Sequence, residues 1–299
     1  MRRVCVIFNP AAGRGVATGL AAALECDPAV TLRRVVHPEA IGELARAAAA
    51  EGYEIVAAAG GDGTAGAVAA GLHEASTGAL LALLPIGTGN DFARHLGIPR
   101  DPLAALRAAL DAADAGRARW VDLIRCLSPR EPERPRWALN AVVGGLAGRI
   151  ADALEPDRRR RWGRLVYLRA GLAELRHARP HAVRLTVDRR RFEFEALMIV
   201  VAGGRFAGGG IPFAPKADPS DGRLDVVAIL RTPGPLIPST VLRILRARHP
   251  GSDNVLMLDG REVEIEADPD FWMNVDGETW TAGRANFDVV PGALAVLVS

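Results

Sequence analysis

Three glycine-rich turns constrain this chain more than any other feature. They are residues 9–15 (Asn-Pro-Ala-Ala-Gly-Arg-Gly), 60–64 (Gly-Gly-Asp-Gly-Thr) and 85–91 (Pro-Ile-Gly-Thr-Gly-Asn-Asp). Each follows an apolar run of strand length, at 4–8, 54–59 and 80–84, and each leads toward a helical pattern, at 16–25, 65–72 and 91–96. A further strand at 30–36 and helix at 41–50 fall between the first two. Gly52 is placed to end that helix, and Asp101-Pro102 to open another. Strands and helices alternating at this spacing imply a parallel sheet. In open sheets of this kind ligands sit where the strands end, so the three turns should line one cleft.

The pattern changes after Trp120. Strand-like runs appear at 121–126, 138–143, 182–187, 192–202, 224–230, 262–266, 272–275 and 294–298, with helical patterns only at 164–178 and 238–248. Residues 128–136 are polar and rich in proline and read as a surface loop. The expected organisation is an α/β domain with a parallel sheet over 1–120 and a β-rich sandwich over 121–284. The last strands, around 285–299, are expected to return to the first domain.

Composition narrows the function. The 299 residues carry a net charge of +2 and 5% aromatic residues, which argues against a nucleic-acid module. Lys216 is the only lysine and stands in no phosphate-binding loop motif. Phosphate would therefore be held by backbone N–H groups, arginine (Arg14 or Arg94) and metal. Cys5, Cys26 and Cys126 form no close pair, so neither a disulfide framework nor a zinc site is indicated. No run of about 18 apolar residues is present, and the first ten residues lack the pattern of a secretion signal. A cytoplasmic setting fits these features.

Glycine lets backbone approach a ligand closely, and free N–H groups at a helix start attract phosphate. Asp62 and Asp91 sit in two of the turns, where paired carboxylates can hold Mg²⁺. Asp91 can equally cap the next helix, whereas Thr64 is available to cap in place of Asp62. Asp218 and Asp221 lie three residues apart on a turn, able to chelate a cation with a backbone carbonyl; a solvated turn is the simpler reading. Asp276 and Glu278 follow an apolar strand, where a carboxylate can take a proton from a hydroxyl or hold metal. Asp276-Gly277 is also a common hairpin turn.

Taken together, NPAAGRG at 9–15, GGDGT at 60–64, LPIGTGNDFAR at 84–94, GRFAGGG at 204–210, PKADPSDGRLDV at 215–226 and VDGE at 275–278 resemble the diacylglycerol kinase catalytic family. Its superfamily also contains NAD kinases and 6-phosphofructokinases. The resemblance implies a phosphofructokinase/NAD kinase-like first domain and transfer of the ATP γ-phosphoryl to a lipid hydroxyl, with Mg²⁺. It assigns ATP contacts to Asn9, Pro10, Ala11, Ala12, Gly13, Gly61, Asp62, Gly63, Thr64 and Thr88. It makes Asp276 the general base and places Glu278, Asp62 and Asp91 around the catalytic Mg²⁺. Asp218, Asp221 and the carbonyl of Arg223 match a structural Mg²⁺ site of some bacterial members.

This sequence departs from the family in three places. Gly66-Ala67 replaces the usual Asn-Glu after GGDGT, His37 stands where a threonine is common, and Gly203 replaces an asparagine. The expected partners are ATP and a lipid at the inner membrane face, met peripherally, with pairing of two chains left open. The basic run Arg158–Arg161 beside Trp162 is a candidate for docking on anionic headgroups, with a solvated helix start as the alternative. An NAD kinase-like phosphotransferase and a non-catalytic nucleotide-binding regulator are the competing functions.

Overall fold

The computed structural model describes residues 2–13, 17–145, 180–276 and 278–298. The first part runs β1 (Val4–Phe8), α1 (Ala17–Glu25), β2 (Val30–Arg34), α2 (Ile41–Ala50), β3 (Ile55–Gly60), α3 (Asp62–Ala75), β4 (Leu80–Pro85), α4 (Asp91–His95) and α5 (Pro102–Asp114). β1 pairs in parallel with β2 and β3, and β3 with β4. Alternate residues of β1 serve opposite faces. Cys5 and Ile7 pack with Ala45, Ala48, Val68 and Leu72 of α2 and α3. Val4, Val6 and Phe8 pack with Leu20 and Leu24 of α1 and Leu106 and Ala109 of α5. Helices on both faces explain why these strands read as continuous apolar runs. The Asp101 carboxylate accepts from the Ala104 N–H to start α5, and Gly52 (φ +83°) follows the last turn of α2.

The remainder holds β5 (Ala118–Ser128), β6 (Glu131–Ala138), β7 (Ala141–Gly145), β8 (His181–Val187), β9 (Arg190–Ala202), β10 (Leu224–Leu230), α6 (Ile237–Leu245), β11 (Val255–Gly260), β12 (Glu262–Val275) and β13 (Glu278–Leu297). Two long strands change partners along their length. β9 pairs β8 over its first half and β7 and β10 over its second. β12 pairs β8 near its start and β7 near its end. The ring β7–β9–β8–β12 closes around Val142, Leu185, Ile199, Phe271 and Met273. β13 joins this half to the first: it is antiparallel to β12 and β5, and its Val296 lies parallel to Leu81 of β4.

Several expectations are corrected. Residues 128–136 do not form a loop throughout, because Glu131–Ala138 is a strand paired with β5. Its only strand partner among the described residues is β5, so Pro132 and Pro135 remove no ladder bond on a second side. The runs at 262–266 and 272–275 are one strand, β12, with a register shift between Glu266 and Phe271. The run at 138–143 breaks at Leu139-Asn140, whose backbone serves the site described below. β11 was not expected. The helix expected at 65–72 begins at Asp62, and that at 238–248 runs Ile237–Leu245. The helix expected at 164–178 lies outside the described residues.

Candidate active site

The three glycine turns meet at the carboxyl ends of β1, β3 and β4. Asn9 ties the first turn to itself and to the second. Its Oδ1 accepts from the Ala11 N–H at 3.0 Å, and its Nδ2 donates to Thr64 Oγ1 at 3.0 Å. The first turn also abuts the third, since any Cβ on Gly13 would strike the Ile86 carbonyl. The second and third join where the Ile86 and Gly87 N–H groups donate to the Gly60 carbonyl. Pro10, Ala11 and Thr88 lie exposed, while Ala12, Gly13, Gly61 and Gly63 are half-buried and Thr64 is buried. Arg14 lies outside the described residues.

Neither aspartate of the turns is a cap for its own helix. Gly61 occupies the N-cap of α3 and Asn90 that of α4, so Asp62 and Asp91 both stand in first helical turns. Asp62 Oδ1 reaches across and accepts from the Phe92 N–H at 3.1 Å. Asp91 Oδ2 accepts from the Gly209 N–H at 2.8 Å, which brings the GRFAGGG segment to the site. Burial raises the Asp62 carboxyl first, and the neighbouring charge of Asp91 raises it further, to about 7. Arg94 donates from Nη2 to the Gly89 carbonyl at 3.0 Å and lies 3.8 Å from Asp91 Oδ1.

Asp276 arrives from the other half, in the turn between β12 and β13. Its φ of +43° fits a two-residue hairpin turn, yet its side chain is only 8% exposed. Oδ2 accepts from the Leu139 and Asn140 N–H groups, at 2.5 and 3.1 Å, and Oδ1 from that of Ala141, at 3.0 Å. Burial drives this carboxyl up, the three N–H donors pull it down and Asp91 adds to the rise, leaving it at about 6. The interruption between β6 and β7 thus supplies donors that no pattern in the sequence marks. The turn also touches the other half directly: a Cβ on Gly63 would lie 2.6 Å from the Asp276 carbonyl. Of Glu278, only its place as the first residue of β13 is described.

Three further residues went unmarked in the sequence. Asn140 donates from Nδ2 to the Phe206 carbonyl, and its own carbonyl accepts from the Gly203 and Gly204 N–H groups. Gly203, one of the family departures, thus contributes through its backbone. His95 Nδ1 accepts from the Arg205 N–H, so this nitrogen carries no proton, and burial lowers the ring to about 4. Asp122 accepts from the Gly222 and Gly292 N–H groups beside the 218–223 turn. His37, another departure, is exposed.

Two acidic places differ in how well they suit a cation. A Cβ on Gly89 would lie 2.9 Å from Asp62 Oδ2 and 3.6 Å from Asp91 Oδ2, so both oxygens face one small space. Two carboxylates with substrate phosphates and water are what Mg²⁺ ordinarily takes, and these residues fit it. The 218–223 turn does not present an open cage. Asp218 is engaged by the Arg119 guanidinium and by Ser220, and Asp221 Oδ1 accepts from the Arg223 N–H. Among the described residues no group of three His, Cys, Asp or Glu side chains is arranged to hold a metal.

Three glycine turns at strand ends, with Asp62, Asp91 and Asp276 beside them, suit phosphoryl transfer, and comparison with known proteins agrees. Residues 3–126 match the family model of the diacylglycerol kinase catalytic domain, and residues 140–298 that of the YegS C-terminal NAD kinase beta sandwich-like domain. A Pseudomonas aeruginosa protein named "Probable lipid kinase YegS-like" is 36% identical over 253 residues, which is 83% of this chain and 78% of that protein. A Bacillus subtilis protein named "Diacylglycerol kinase" is 27% identical over 283 residues, 93% of this chain and 90% of that one. A crystal structure of a diacylglycerol kinase from Bacillus anthracis superposes with a TM-score of 0.70 at 20% identity, covering 100% of this chain and 97% of that one, a likeness of fold. The chain belongs to the lipid kinase family that includes the YegS-like proteins and the diacylglycerol kinases.

Proposed function

We propose that this chain transfers the γ-phosphoryl of ATP to a hydroxyl of a lipid, diacylglycerol or a related one, with a divalent cation. The observation that carries the reading is the convergence of Asp62, Asp91 and Asp276 beside the three glycine turns. Residues 1–120 would bind the nucleotide and 121–284 the lipid, with the end of β13 returning to the first part. ATP would lie over residues 9–13, 61–64 and Thr88, its phosphates meeting the free N–H groups at the start of α3. Arg94, held beside Asp91, would face the phosphates from the third turn.

Asp276 would act as the base. A carboxylate offers about four lone-pair positions, and backbone N–H groups occupy three. One position remains for a substrate hydroxyl. A carboxyl at about 6 is a stronger base than an ordinary aspartate and is still ionised at neutral pH. Asp62 and Asp91 would hold Mg²⁺, which supplies charge stabilisation to the transferring phosphoryl group. Glu278 would complete the acidic surroundings. For Asp218, Asp221 and Arg223 the reading is a structural turn, open to Mg²⁺ only if Arg119 withdraws.

The substrate lies in a membrane, and among the described residues no helix is long and apolar enough to cross one. The protein would work from the membrane surface, at its inner face. The test is incubation with γ-labelled ATP, Mg²⁺ and a panel of lipids in mixed micelles, with NAD in a parallel tube. Label in a lipid supports the reading and names the substrate. Label in NADP alone would replace it with an NAD kinase-like activity, and ATP binding without any transfer would point to a regulator.

A further inference from the structure

Helix α6 has two dissimilar faces. Ile237, Thr240 and Ile244 are buried, and Ile244 packs with Ala207, Ala214 and Ala217. The opposite stripe carries Leu242 and Arg246, with Arg243 and Leu236 beside it. Leu236 and Leu242 are each 46% exposed. Residues 231–252 contain four arginines and no carboxylate. Arg231 is neutralised by Glu195, and Arg243 meets the neutral Ser252. Among the described residues no acidic side chain pairs with Arg243, Arg246 or Arg248. Exposed leucines flanked by unneutralised arginines on a short amphipathic helix fit the boundary between anionic headgroups and acyl chains.

This helix is also coupled to the site. It packs on the segment 207–217, whose Gly209 N–H holds Asp91. Just beyond the helix, His249 Nε2 bonds the Phe213 carbonyl at 2.7 Å. A surface that seated α6 would therefore bear on the segment that orients Asp91.

We propose that the outer stripe of α6 docks this protein on an anionic lipid bilayer. The inference deepens the lipid-kinase reading and rests on it for its purpose, but its test needs no turnover. Binding is measured without ATP, by co-sedimentation with phosphatidylcholine vesicles with and without phosphatidylglycerol. The wild type is expected to bind the anionic vesicles more tightly. Arg243→Gln with Arg246→Gln should lower the partition coefficient by about 30-fold, near fivefold for each basic group at the surface. Leu242→Ser should weaken binding at high salt, where the charge contribution is screened. Arg243→Lys with Arg246→Lys should bind as the wild type does, which separates charge from loss of fold.

Wild-type binding that ignored phosphatidylglycerol would overturn the proposal. So would a Gln pair that bound as tightly as the wild type, as it would if Arg158–Arg161 carried the whole interaction. A wild-type dimer in sedimentation velocity that the Gln pair split, with vesicle binding unchanged, would reassign the stripe to a second copy of this chain.

Discussion

Gly66 and the carboxylate of Asp276 fill adjoining space: a Cβ at position 66 would stand 2.8 Å from Asp276 Oδ2. One position of the departure from the family's usual Asn-Glu thus lies directly against the proposed base. Gly66→Ala tests the contact because two effects oppose. Helix propensity alone would favour alanine by about 0.5–1 kcal/mol, whereas overpacking against a carboxylate pinned by three N–H groups costs about 1–3 kcal/mol. The variant should melt at a lower temperature and turn over at least about tenfold more slowly. A raised melting temperature with unchanged turnover would show that the space is free.

Asp62 and Asp276 set a pH dependence whose direction follows from their shifts. Both carboxyls titrate higher in the folded chain than the usual 3.8, at about 7 and about 6. The folded state therefore binds more protons than the unfolded state between about pH 4 and 7, and stability should fall as pH rises through that window. Asp62→Asn should flatten this slope. Mg²⁺ should raise the melting temperature more at pH 7.5 than at pH 5, where protons compete for the carboxylates. Thermal melts across pH with and without Mg²⁺ measure both.

Asn140 joins two parts of the site through separate atoms. Its N–H holds Asp276, and its side chain holds the Phe206 carbonyl three residues before Gly209. Asn140→Ala keeps the first bond and removes the second, leaving a carbonyl without its donor at a cost of about 1–3 kcal/mol. Turnover should fall by about tenfold or more with little change in the KM for ATP, since the nucleotide turns are untouched. Steady-state kinetics separate the two constants.

The Arg119 guanidinium pairs with Asp218, one of the carboxylates proposed for a cation in the 218–223 turn. Melting of the wild type should then respond to Mg²⁺ only through the Asp62–Asp91 site, and Asp62→Asn should abolish the response. In the Asp62→Asn background, Arg119→Ala should restore a Mg²⁺-dependent rise in melting temperature, by freeing Asp218 beside Asp221 and Asp122. Calorimetry with and without chelator decides it.

What the sequence made legible follows from local physics. The turns at 9–13, 60–64 and 85–91 were visible because glycine, proline and asparagine punctuate the chain where strands end, and the structure packs them together. Asp62, Asp91 and Asp276 were visible as acids in such turns, though nothing local showed that β12 and β13 carry Asp276 across to α3. The donors of Leu139, Asn140 and Ala141 were not legible, because backbone N–H groups leave no compositional trace. β6 reads as a loop because its prolines and charges suit a strand with one partner among the described residues as well as they suit a loop. Arg119 was hidden because its partner Asp218 is 99 residues away.

Asp276 is proposed to take the proton from a lipid hydroxyl. Its most direct test is the Asp276→Asn variant, assayed for label transfer from γ-labelled ATP to the lipid that the wild type uses, with ATP affinity measured alongside. Turnover should fall by about 10²–10⁴ at nearly unchanged ATP affinity, with loss of the wild type's acid limb near the Asp276 value of about 6. A variant that kept wild-type turnover and the same pH profile would contradict it and move the base elsewhere.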